Sequence, residues 1–313
     1  MTMSQHPSIR SFIAVFFLVL SVWVPVCLGE EELRSFDSQG VVVFFDASLR
    51  SRAEDIVELY PAVRRHLEGT LGWSVAFKPT IFLMKDRERF QRVAASRLVA
   101  AFAIPRKNFI VIDHSRMIKD PFRIEVTLRH ELCHLLLHHY ISHDKLPKWL
   151  DEGIAQWVSG GIGEFVIEQK EALLNEAVLA GRLLDISNLS GSFPREPGSF
   201  SLAYQQSRSF VDYIVDKYGT EGILSIIREL QDHDIERATK RGLSVSLEDL
   251  EEAWRHHLRA RLTWFTFLAN NVYEVLFFVG GITVILGFLR RLAKKRAYMK
   301  DEDDSFSDAW KGK

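Results

Sequence analysis

Cysteine is scarce in this chain: its 313 residues include only Cys27 and Cys133. Cys27 closes an N-terminal apolar run, so cleavage after that run would leave one thiol and exclude an intrachain disulfide. Excess charge of either sign is lacking as well. Lys and Arg number 40 against 41 Asp and Glu, a formal net charge of −1, and nothing points to nucleic acid as a partner. No internal repeat and no nucleotide-binding glycine motif is present, which sets aside repeat arrays and nucleotide chemistry. The remainder is ordinary: 47% hydrophobic and 26% charged residues suit one or two globular domains with a real core.

Against that background one stretch stands out, His130-Glu131-Leu132-Cys133-His134, a H-E-x-x-H motif. Residues four apart share a helix face, so His130 and His134 can turn two imidazoles toward one metal ion. Glu131 sits beside the open coordination position, where it can take a proton from a water on the metal. Two His, one carboxylate and a water are a catalytic zinc arrangement. The third protein ligand must come from elsewhere, and Glu152 is the natural candidate, on the apolar, Trp-bearing segment Pro147 to Val158. Asp151 is adjacent to it but turned away by about 100°. Cys133 is likewise turned about 100° from His134 and reads as a packed thiol. His138 shares the stripe of His130 and His134, but it lies about 12 Å along the axis from His130 and reads as a packed or supporting residue. His139 and His143 read as solvated residues near the helix end. Gln156 shares a face with Glu152, either holding a ligating His or forming polar helix surface. A metzincin would want a third His where Tyr140 stands, so that pattern is excluded.

With Trp149-Leu150-Asp151-Glu152-Gly153-Ile154-Ala155 added, the sequence resembles the gluzincins, zinc peptidases whose third ligand is a glutamate on a following helix. Seventeen residues separate His134 from Glu152, close to the gluzincin spacing. The second motif is similar to the W-L-N-E-G-F-A of membrane alanyl aminopeptidases, with Asp151 for Asn and Ile154 for Phe. Their G-A-M-E-N substrate anchor is missing, which argues against an exopeptidase. The chain more closely resembles the small peptidase-MA-like domains of bacterial envelope proteins. The motifs run from His130 to Ala155, and a weaker similarity extends from Val41 to about Arg261. The resemblance implies Zn2+ on His130, His134 and Glu152, and Glu131 as general base. It also implies a Tyr or His that stabilises the oxyanion from the region of Tyr204. Tyr204 read on its own can equally be a helix-packing residue. An edge strand that receives the substrate in extended form is implied too; Phe109 to Ile112 is the candidate, with an ordinary core strand as the alternative.

Periodicity sets the frame. Strands are expected at Gly40–Phe45, Pro79–Met84 and Phe109–Ile112. Helices are expected at Arg52–Leu71, Asp86–Ala95, Pro121–His139, Pro147–Val158 and Phe165–Ala180. After a loop over Ser187–Ser199, which could border the cleft, a helix opens at Leu202 and runs to Tyr218, where Gly219 interrupts. A helix follows over Glu221–Gln231. Ser246-x-x-Asp249 caps a last one, Leu247–Leu262, which should pack on the catalytic domain. The expected fold class is α+β: a thermolysin-like zincin domain with a small N-terminal sheet and an active-site helix, then a mainly helical part.

Two apolar runs flank this domain. Residues 1–29 read as a secretory signal peptide, cleaved or retained as an anchor. Residues 272–289 read as a C-terminal transmembrane helix, followed by Arg290, Arg291, Lys294, Lys295 and Arg296, a basic cluster that marks a cytoplasmic tail over 290–313. The catalytic domain over 30–268 would then be extracytoplasmic. The expectation is a membrane-anchored zinc endopeptidase acting on envelope proteins or peptides. The alternative is a catalytically silent module of the same fold that binds metal or protein.

Overall fold

The computed structural model describes residues 33–94, 99–117, 121–160, 172–270, 273 and 276–292. Five strands form one mixed sheet: β1 (Leu33–Asp37), β2 (Val42–Asp46), β3 (Thr80–Met84), β4 (Ala101–Ile104) and β5 (Phe109–Asp113), in the order β1-β2-β3-β5-β4. The three central strands are parallel and the two outer ones antiparallel. Side chains alternate between faces along a strand. In register, Phe44, Phe82, Val111 and Phe102 line one face, where they gather round Phe90 of the short helix α2 (Arg87–Val93). Val43, Phe45, Ile81, Leu83, Ile110 and Ile112 line the other and join the main core.

That second face carries the helices. In α1 (Arg50–Leu71), Ala53, Ile56, Tyr60, Val63, Leu67 and Leu71 recur every three or four residues and are buried, the stripe a helix needs to lie on a sheet. Gly72, at φ 72°, ends it in the left-handed conformation that glycine adopts without strain. Helix α3 (Pro121–Tyr140) lies deeper. Every residue from His130 to Leu137 is buried, because α3 is packed against α1, the sheet and α4 (Lys148–Ser159) together. The helices that follow are α5 (Ala172–Leu179), α6 (Pro197–Glu229, broken at Gly219 with φ 73°), α7 (Ile235–Leu243) and α8 (Leu247–Asn270). Ser246 Oγ accepts from the amide of Asp249 at 3.1 Å, the expected cap of α8. The rings of Trp149, Phe210 and Trp254 pack tilted against one another, with centroids 5.0 and 5.2 Å apart, and tie α4, α6 and α8 together.

The structure differs from the sequence expectations at several points. Strands β1 and β4 and helix α7 were not foreseen. Phe109–Ile112 is not an edge strand: β5 lies between β3 and β4, and the edge beside α3 is β4. β4 is Ala-rich and four residues long, and it is placed there by its antiparallel return through Pro105 rather than by a strong β pattern.

The membrane reading is overturned. Among the described residues no helix is long and apolar enough to cross a membrane. The transmembrane helix, the membrane as a partner and the extracytoplasmic topology with a cytoplasmic tail are therefore withdrawn, and with them the membrane-anchored form of the expected function. The signal peptide over 1–29, the tail over 301–313, the basic residues Lys294 to Arg296 and the first part of the helix expected over Phe165–Ala180 lie outside the described residues.

Candidate metal centre

Helical periodicity brings the first two ligand atoms together. His130 and His134 are one turn apart on α3, and their Nε2 atoms lie 3.2 Å from each other. Helix α4 crosses α3 and supplies the third. Glu152 Oε2 lies 3.5 Å from His130 Nε2 and 3.6 Å from His134 Nε2. All three residues are buried and could hold one metal ion. Zinc with bonds of about 2.0–2.1 Å at tetrahedral angles holds its ligand atoms about 3.3–3.4 Å apart, so the triangle has the size zinc requires. Glu152 Oε2 accepts no hydrogen bond among the described residues, as suits an atom reserved for a metal. The residues present fit the ion.

The close crossing of α4 with α6 sets the position of Glu152. A Cβ on Gly153 would fall 2.5 Å from Val211 Cγ2 and 2.6 Å from the carbonyl oxygen of Ser207, so only glycine lets the helices approach this far. Gln156 fastens the same crossing: it is fully buried and its Nε2 donates to the carbonyl of Tyr204 at 3.2 Å. It is not surface, and its amide bond goes to α6 rather than to a ligating His. Tyr204 is buried between Phe193 and Phe200, with ring centroids 4.9 and 5.0 Å away. The loop before α6 thus borders the centre, and the Tyr204 hydroxyl donates to Glu152 Oε1 at 3.1 Å.

Around the ligands sits a carboxylate that the sequence reading had only contrasted with Glu152. Asp151 Oδ1 lies 2.6 Å from His134 Nδ1, and its Oδ2 lies 3.2 Å from His138 Nε2. A ligating His commonly gives its second nitrogen to such a partner, so Asp151 orients His134 and His138 backs Asp151. Glu131 is fully buried beside His130, and Cys133 is a free, fully buried thiol. Burial pushes the Cys133 thiol up, helped by Asp151, Glu152 and Glu131, and Cys133 is not part of the ligand cluster. Burial disfavours charge on His134, but the carboxylates of Asp151 and Glu152 outweigh it and hold its pKa well above the ordinary value. Burial likewise opposes charge on Glu152, and Lys148 and then His134 outweigh it, keeping the carboxylate ionised.

Sequence reasoning missed Lys148. Its Nζ lies 2.6 Å from Glu152 Oε1 and 3.9 Å from Asp151 Oδ2. The available signal was its place four residues before Glu152 on one helix face.

The family model described as the Peptidase MA superfamily matches residues 98–260, just over half of the chain and all of the centre. No curated protein matches the sequence.

Proposed function

This chain belongs to the Peptidase MA superfamily, and from that premise we propose that it is a zinc metallopeptidase that hydrolyses peptide bonds in protein or peptide chains. The observation that carries the reading is the triangle of His130, His134 and Glu152, with sides of 3.2, 3.5 and 3.6 Å in a buried site. When bound there, zinc supplies Lewis acidity, lowering the pKa of a water and polarising a carbonyl.

The chain's own groups do the rest. Asp151 accepts from His134 Nδ1, which leaves the Nε2 lone pair for the metal. Glu131 takes the proton of the attacking water and returns it to the leaving amine. Tyr204 donates to the oxygen that gains negative charge in the transition state. To do so its hydroxyl turns from Glu152 Oε1 to the substrate. Strand β4, at the sheet edge beside α3, offers its backbone to an extended peptide by strand addition.

Metal analysis and hydrolysis of an unfolded protein by the full chain, compared with His130→Ala, test the proposal together. Stoichiometric zinc and hydrolysis in the parent, with both lost in the variant, support it. A parent chain that holds zinc without cleaving any polypeptide would make it a binding module instead.

A further inference from the structure

Two donors converge on one oxygen of Glu152. Lys148 Nζ reaches Oε1 at 2.6 Å and the Tyr204 hydroxyl reaches the same atom at 3.1 Å, while Oε2 faces the two His Nε2 atoms. We propose that Lys148 is a positioning residue of the metal centre: it anchors Oε1, so that Glu152 meets the metal through Oε2 alone and Tyr204 can leave Oε1 to serve the reaction. The inference rests on the zinc-peptidase reading above.

The geometry of Lys148 suits an anchor. Its backbone amide donates to the carbonyl of Ser190 at 2.8 Å, which fixes the start of α4 just after Pro147. One turn on, at i+4, stands Glu152, so a lysine stem runs along the helix and sets its ammonium on that carboxylate. The side chain is 38% exposed while that of Glu152 is 2% exposed. The cation therefore approaches from the solvent side and pays little desolvation, while the carboxylate it holds lies inside.

Charge points the same way. Glu131, Asp151 and Glu152 are 0%, 5% and 1% exposed, and buried charges must be compensated. A divalent ion would offset part of this charge, and Lys148 adds a cation that reaches two of the three carboxylates. It bridges both members of the Asp151-Glu152 pair, at 3.9 and 2.6 Å. A carboxylate with only one oxygen held back keeps one coordination position open for water, and catalytic zinc sites depend on that position. Released from both donors, Glu152 could close on the metal with both oxygens and fill it.

Cobalt in place of zinc reads this out, because four-coordinate cobalt absorbs visible light several-fold more strongly than cobalt with five or six ligands. The full chain is loaded with cobalt as the parent, Lys148→Met, Tyr204→Phe, the double variant, and Lys148→Arg combined with Tyr204→Phe. The expected result is a strong band in the parent and both single variants. The band should weaken several-fold in the double variant and return when arginine restores the cation. Lys148→Met alone should lower kcat and leave KM unchanged, since Tyr204 is then the one donor left on Oε1. A double variant that binds cobalt with the parent's spectrum, or a Lys148→Met enzyme with the parent's kcat, overturns the inference and leaves the zinc reading standing. A parent chain that binds neither cobalt nor zinc overturns both.

Discussion

Helices α3 and α4 each present ligands to the same point, but different forces set them there. On α3 the helix pitch brings the ligands His130 and His134 onto one face, where their Nε2 atoms lie 3.2 Å apart. On α4 the pitch decides only that Asp151 and Glu152 point in different directions. Which one reaches the metal is settled by packing: the crossing at Gly153, the Tyr204 and Lys148 donors on Oε1, and the His134–Asp151 contact. The nitrogen half of the centre is therefore local, and the carboxylate half is a product of tertiary structure.

The sharpest way to test the α3 half is at the residue that binds no metal. Glu131→Gln should keep its zinc and lose turnover by about 10²–10⁴-fold, the usual contribution of a positioned general base. Metal analysis beside a hydrolysis assay checks this, and turnover at the parent's rate would remove Glu131 from the mechanism. On the other half, Tyr204→Phe keeps the ring between Phe193 and Phe200 and deletes one donor. An oxyanion donor is worth about 10²–10³ in kcat, with zinc retained. A variant with normal kcat would return Tyr204 to a packing role.

Gly153→Ala should act on the α4 half through packing alone. The new methyl meets Val211 and the fixed carbonyl of Ser207, and overpacking of this kind costs about 1–3 kcal/mol. Urea unfolding should show that loss, and zinc should bind more weakly because Glu152 is carried away from the two His. Stability and zinc affinity equal to the parent's would mean the crossing is loose and does not set the ligand.

The same contrast explains what could be read from the chain. The cluster of His130, His134 and Glu152 was legible because helix spacing and a recurring motif specify it. The central strands β2, β3 and β5 were legible because they are largely buried and rich in β-branched and aromatic residues. Strands β1 and β4 were not, since each is an outer strand with weak β character, Leu33–Asp37 largely exposed and Ala101–Ile104 short. Helix α7 escaped because it buries little more than Ala238 and Thr239; its start is marked only by Asp234, which accepts from the amide of Arg237 at 2.9 Å. The partnerships of Asp151, Gln156 and Lys148 depend on how α4 meets α3 and α6, which no periodicity encodes. The run over 272–289 misled for the opposite reason. Its composition matched a membrane span, whereas among the described residues no helix reaches the needed length and apolarity.

The central claim is that of two adjacent carboxylates Glu152 holds the metal and Asp151 holds the ligand. Zinc titration of the purified chain as parent, Glu152→Ala and Asp151→Ala tests it most directly. The account predicts that Glu152→Ala fails to retain zinc, while Asp151→Ala still binds one ion with affinity lowered by about 10–100-fold, the usual cost of losing a partner behind a ligating His. Zinc retained by Glu152→Ala and lost from Asp151→Ala would contradict it.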